Sequence, residues 1–165
     1  LHDYSQIMKN LGFHPRINLN RIYVISGCSF KNLLYLYQSK AFKNTNNWNK
    51  LLVSIKLCLE NGRRSNTYYR FLQLEKQKIF TNLSVSNDFN IQLRTANSWL
   101  HSKKKENLVI QTNKSQWTLT KKGKELVSIL KEWQKDYNKL VHKKKIKDPA
   151  KLLVSLKPKS KYNSE

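Results

Sequence analysis

Apolar positions along the chain switch between two periods, and that switching predicts the elements. Tyr4, Ile7, Met8 and Leu11 fall at i, i+3, i+4 and i+7, one face of a helix that Gly12 stops. Arg16–Leu19 and Ile22–Ile25 then read as two short strands, the second ended by Ser26-Gly27. The brief link at Asn20-Arg21 makes a hairpin their natural pairing. Ser29 can cap a second helix carrying Phe30, Leu33, Leu34 and Tyr37 at helical spacing. A polar loop, Lys43 to Asn47, leads to a third helix with Trp48, Leu51, Leu52, Ile55 and Leu59 on one face, closed by Gly62.

Arg63-Arg64-Ser65-Asn66 is polar and without apolar period, so the boundary between two domains is placed there. Beyond it, Tyr68 to Phe80 is expected to be helical, Leu83 to Ile91 a short helix or turn, and Gln92 to Asn107 a longer helix. Val109-Ile110 and Trp117-Thr118-Leu119 flank the polar stretch Gln111 to Gln116 as a hairpin. A final helix starts at Lys122-Gly123-Lys124, with Leu126, Ile129, Leu130, Trp133, Tyr137 and Leu140 as its apolar stripe. After His142 come Lys143-Lys144-Lys145, Asp148-Pro149 and a Lys-rich end, a tail expected to be disordered or ordered only on binding. The segments are therefore 1–62, 66–141 and 142–165, in an α+β protein.

Charge changes the picture. The 165 residues hold 32 Lys and Arg against 10 Asp and Glu, a net charge of +22. The excess is clustered rather than evenly spread, and its commonest partner is nucleic acid. Apolar residues, at 39%, still suffice for packed cores. Cys28 and Cys58 are far apart and sit among apolar residues, as reduced core thiols would. No run of about 18 apolar residues and no signal-peptide core is visible, which predicts an intracellular, cytoplasmic protein with no membrane partner. A nucleoid-associated or organellar site stays open. Leu1 opens the chain inside a helical pattern, so a fragment of a longer protein is expected.

The segment Ile91-Gln92-Leu93-Arg94-Thr95-Ala96-Asn97-Ser98-Trp99-Leu100, with Glu106 to Ile110 and Trp117-Thr118-Leu119-Thr120-Lys121-Lys122-Gly123, resembles the recognition helix and wing of winged helix-turn-helix domains. Gln92 stands where that family favours a Ser or Thr cap, and Asn107 where it favours Gly. Asn tolerates the left-handed turn needed there. The helix period points the same way. Ala96, Trp99 and Leu100 face a core, whereas Gln92, Arg94, Asn97, Ser98 and His101 are candidates for reading bases in the major groove. Lys103, Lys104 and Lys105 at the helix end, with Lys114, Lys121 and Lys122 around the wing, suit phosphates.

The first sixty or so residues carry a second likeness. Leu11-Gly12-Phe13, His14-Pro15-Arg16-Ile17, the strand Ile22 to Gly27 and a helix leading to Ala41-Phe42 resemble the C-terminal half of a LAGLIDADG homing-endonuclease repeat. The resemblance implies two strands of a DNA-binding saddle, with Arg16 and Arg21 on phosphates and Lys50 as the basic residue near a cleavage centre. The fold expected is then a partial LAGLIDADG-like α/β unit, a winged helix-turn-helix domain and a basic tail.

That family's acidic helix is missing from this sequence, and the ten acids are scattered singly. Two-metal cleavage needs closely placed carboxylates, so this chain alone is expected not to cut DNA. No cofactor is expected in it, and Mg2+ only in a complete endonuclease. The four His show no metal-ligand spacing, and the four Gly form no phosphate loop. Tyr35, Tyr37, Trp48, Tyr68 and Tyr69 fall at helical spacings, as core residues do. The expected function is duplex-DNA binding as the C-terminal portion of a LAGLIDADG-type endonuclease. The alternatives are a non-enzymatic winged-helix transcriptional regulator and a maturase binding intron RNA. A homodimer and a missing N-terminal half are both open.

Overall fold

A computed structural model describes residues 16–18, 21–23, 30–40, 42–43, 46–61 and 66–156, with the backbone alone at 16–18, 21–23, 61 and 66. The helix expected over Tyr4–Leu11, Cys28, the cap at Ser29, the boundary at 62–65 and the tail from 157 lie outside the described residues. The protein mixes helices with small antiparallel sheets and divides into two compact units. One comprises Leu1–Asn66 with Trp133–Glu165, the other Thr67–Glu132.

In the first unit, β1 (Arg16–Asn18) and β2 (Arg21–Tyr23) pair antiparallel as expected, with Ile17 opposite Ile22. Arg21, expected in the link, is in β2 opposite Asn18, and the expected strand ends at 19 and 24–25 lie outside the described residues. Helices α1 (Phe30–Ser39) and α2 (Asn46–Asn61) pack together. Phe30, Leu33, Leu34 and Tyr37 of the predicted α1 face are buried, as are Leu51, Leu52, Ile55 and Leu59 on α2, whereas Trp48 of the same α2 face is only half-buried. Val53 and Cys58 are buried as well, so α2 is covered over more than one stripe. Tyr35 departs from its expected core role and stands 40% exposed.

The division into units runs differently from the expected segment 66–141. The final helix, α6 (Lys121–Lys144), belongs to the second unit up to Glu132 and to the first from Trp133 onward. Trp133 explains the assignment: its indole is buried and Nε1–H donates to the Leu52 carbonyl at 3.1 Å. The Tyr37 hydroxyl donates to Asp136 at 3.0 Å. The expected disordered tail is also corrected over its first part. Pro149–Ser155 forms helix α7, packed on α2, with Leu152 and Leu156 buried. Asp148 caps it through the Ala150 and Lys151 amides, and Pro149 takes the first-turn position where its missing N–H costs nothing.

In the second unit, a single 3-10 turn (Asn66–Tyr68) runs into a short helix α3 (Tyr69–Leu74). The helix expected to reach Phe80 stops at Leu74. Residues 75–79 favour helix locally, but Phe80–Thr81 (β3) pairs with Trp117 and Gln116, and the sheet takes the chain from the helix. Then come α4 (Asn82–Asp88), α5 (Leu93–Lys105), β4 (Val109–Asn113) and β5 (Gln116–Leu119), in a sheet of order β3-β5-β4. Phe71, Leu74, Phe80, Val85, Ala96, Leu100, Trp117, Val127 and Leu130 form its core.

Candidate nucleic-acid interface

Helix α4 begins with a reciprocal cap. The Thr81 hydroxyl accepts from the Ser84 amide at 3.0 Å, and the Thr81 amide donates to Ser84 Oγ at 2.9 Å. The turn to α5 is tight because Asn90 adopts a positive φ of 48°, which asparagine tolerates. The Ile91 amide donates to the Ser86 carbonyl, and Ser86 Oγ donates to the Ile91 carbonyl at 2.6 Å. Two short helices are thus joined by a turn bonded from both directions. Gln92 occupies the N-cap position of α5 as expected, yet its side chain makes no capping hydrogen bond.

The outer face of α5 carries Arg94, Asn97, Ser98, His101, Lys104 and Lys105, all exposed, as are Gln92 and Thr95. Its inner face buries Ala96, Trp99 and Leu100. Arg94 makes no hydrogen bond or ion pair with any described residue and is available to a ligand. Asn97 is held differently. Buried Trp117 donates from Nε1 to Asn82 Oδ1 at 2.6 Å, and Asn82 Nδ2 donates to Asn97 Oδ1 at 3.1 Å. His101 stands edge-on to the same indole, with ring centroids 5.3 Å apart. The sequence offered no signal for Asn82, because its partners lie 15 and 35 residues away. Leu93, 52% exposed at the start of α5, was likewise not singled out.

At its far end α5 is closed. Asn107 takes a φ of 58°, as its resemblance to a glycine position implied, and its amide donates to the Lys104 carbonyl while the Leu108 amide donates to that of Lys103. Gly123 fits against this turn. A Cβ there would stand 2.1 Å from the Leu108 carbonyl oxygen, so only glycine allows α6 to start so close. Thr120 fixes the junction, with Oγ1 donating to the Asn107 carbonyl at 2.6 Å and accepting from the Gly123 amide at 3.0 Å.

The basic residues separate into two groups. Lys103, expected on phosphate, is buried: Nζ pairs with Glu106 at 2.6 Å and stands 4.5 Å from the Tyr68 ring centroid. Its place on the inner face of α5, three residues after Leu100, removes it from the surface set. Glu106 also accepts from the Tyr68 hydroxyl at 2.7 Å. Burial, that bond and the carboxylate's charge all push the Tyr68 phenol well above its ordinary range. Lys122 donates to the Glu106 carbonyl at 3.1 Å, which ties it to the end of α5. Lys104, Lys105, Lys114 and Lys121 are exposed and form no ion pair among the described residues.

The β4–β5 hairpin turns at Lys114-Ser115, with the Gln111 side chain donating to the Lys114 carbonyl at 2.9 Å. This bond holds the Lys114 backbone, while the Lys114 side chain is exposed. Arg16 and Arg21 lie on β1 and β2, described as backbone only. Lys50 is half-buried on α2, in the first unit and not among the groups gathered on α5. Among the described residues no set of three His, Cys, Asp or Glu is placed to hold a metal ion, and no helix is long and apolar enough to cross a membrane. No protein-family model, no curated protein and no solved structure matches the chain, so the role of this surface rests on its own residues.

Proposed function

We propose that the second unit is a winged helix-turn-helix module that binds duplex DNA, with α5 in the major groove and the β4–β5 hairpin as its wing. The observation that carries this reading is the outer face of α5. There Arg94 and Asn97, the residue types that pair bidentately with guanine and adenine, share a helix face with His101 and unpaired lysines. The element order, a three-stranded sheet with a bonded helix–turn–helix and a two-residue hairpin tip, supports it. Lys104, Lys105, Lys114 and Lys121 supply the phosphate contacts, and the net charge of +22 favours the polyanion from a distance.

In the fuller form of the proposal the chain is the C-terminal portion of a LAGLIDADG-type endonuclease, with unit one giving strands to the DNA saddle. The β1–β2 hairpin followed by two helices is in keeping with that. Binding-site selection tests the DNA reading. Arg94→Ala should relax the preference at one or two base pairs, at a cost of about 1–3 kcal/mol for the preferred site, whereas Lys114→Ala should weaken all sequences alike. Identical profiles for the two variants would refute the division into base and phosphate contacts. Salt-independent binding would refute the interface itself.

A further inference from the structure

In the first unit Lys43, α2 and the end of α6 line an open cavity of about 350 Å3, at the small end of the range of ligand sites. Trp48, Leu52 and Leu140 give it an apolar floor, and the Trp48 indole is stacked on Tyr37 with centroids 5.0 Å apart and planes inclined by 20°. Lys43, Lys139, Lys143 and Lys144 line it as well, four ammonium groups against one carboxylate, Asp136. That carboxylate is already engaged by the Tyr37 hydroxyl at 3.0 Å and by Lys139 at 3.8 Å. Lys43, Lys143 and Lys144 have no carboxylate partner among the described residues. Lys143 and Lys144 also suit a helix C-terminus, but Lys43 precedes α2 and has no such role.

We propose that this cavity binds a nucleotide, its base against the Trp48 wall and its phosphate among Lys43, Lys143 and Lys144. An aromatic wall beside clustered cations is the pairing that single nucleotides of a strand require. An acidic peptide would answer the lysines but has no planar group for the indole. The nucleotide can come from an unpaired strand or from a free nucleoside phosphate, and the site belongs to the first unit, whereas α5 belongs to the second.

The test uses the full chain and two probes, a fluorescein-labelled ten-nucleotide oligothymidylate and AMP. Lys43→Gln combined with Lys143→Gln changes two exposed side chains and leaves the packed interior alone. The double variant should bind the oligothymidylate about tenfold more weakly and lower its log-affinity slope against log salt by about 1.4. Ultraviolet cross-linking of a 4-thiothymidine version should label Trp48 in the parent chain and lose that label in the variant. Loss of AMP binding alone would support the site and identify a free nucleotide as its ligand. Parent-like affinity for both probes, with an unchanged salt slope, would overturn the proposal. Because Arg94→Ala reports on duplex binding independently, a failure of the α5 reading would show there and leave this result separate.

Discussion

The two ends of α5 differ in how far their polar groups are satisfied. At the start, Gln92 makes no capping bond, and Arg94 forms no hydrogen bond or ion pair with a described residue. At the far end the backbone is engaged: a left-handed Asn107, two amide-to-carbonyl closures, Thr120 and Lys122 on the last carbonyls, and Lys103 locked between Glu106 and Tyr68. The open end has hydrogen-bonding capacity to give a partner, and a helix N-terminus favours anions. The closed end uses its backbone groups to hold the helix in register, and the side chains of Lys104 and Lys105 there stay exposed. Free polar groups and structural closure thus lie mainly at opposite ends of one helix thirteen residues long.

Substitutions can break that division in turn. The largest effect should come from Gly123→Ala at the closed end. Its methyl group would collide with a backbone carbonyl that cannot swing away, so a loss of about 3 kcal/mol or more is expected, read as an early thermal transition. A melting curve like the parent's would show that the α5–α6 junction is looser than described.

Next come two neighbouring lysines with opposite roles. Lys103→Met removes the partner of a half-buried carboxylate and should cost about 2 kcal/mol of stability, with duplex affinity per folded molecule unchanged. Lys104→Met should leave the melting temperature alone and make the duplex salt slope shallower by about 0.9. If both variants changed the slope equally, Lys103 would have to be on the surface.

Asn82→Ala should affect both ends. It leaves the buried Trp117 N–H without an acceptor, for a loss of about 1–2 kcal/mol, and frees Asn97 from its fixed orientation. Duplex affinity should fall a few-fold, whereas Asn97→Ala should alter binding alone.

The smallest effect is expected from pH. Because folding raises the Tyr68 phenol above its ordinary value near 10, its contribution is complete below about pH 10 and is lost as the pH rises beyond it toward the folded value. The alkaline fall in melting temperature should therefore be shallower in Tyr68→Phe than in the parent. Equal falls would remove the phenol from the account.

Much of the fold could be read from the chain because the helix stripes are long and regular. On α1, α2 and α6 most predicted apolar positions bury, although Trp48 and Ile129 are only half-buried and Leu36, Val53 and Val127 join the core unpredicted. Short or distant interactions escaped. Strand β3 is only two residues long and follows residues that favour helix, so nothing local marks it. For α7 the signals were present, an Asp-Pro start and Leu152 and Leu156 four apart, but the surrounding lysines read as a solvated tail. The candidate site was legible in kind: helical spacing separates Arg94, Asn97, Ser98 and His101 from the core. Spacing puts Lys103 on the core stripe with Ala96 and Leu100, but a lysine reads as a surface residue, and only the meeting with Glu106 and a tyrosine 35 residues earlier accounts for its burial. Asn82 is the extreme case, a residue whose role exists solely in three dimensions.

Trp117 offers one consequence of a spectroscopic kind. Its indole is fully shielded, hydrogen-bonded to Asn82 and set edge-on to His101, so it sits directly beneath two groups that a partner on α5 would disturb. An indole so enclosed emits at short wavelength and is sensitive to its N–H partner and to a neighbouring imidazole. The chain therefore carries an intrinsic optical reporter under the outer face of α5. With the other three tryptophans replaced by phenylalanine, its emission would follow occupancy of that face without any attached dye.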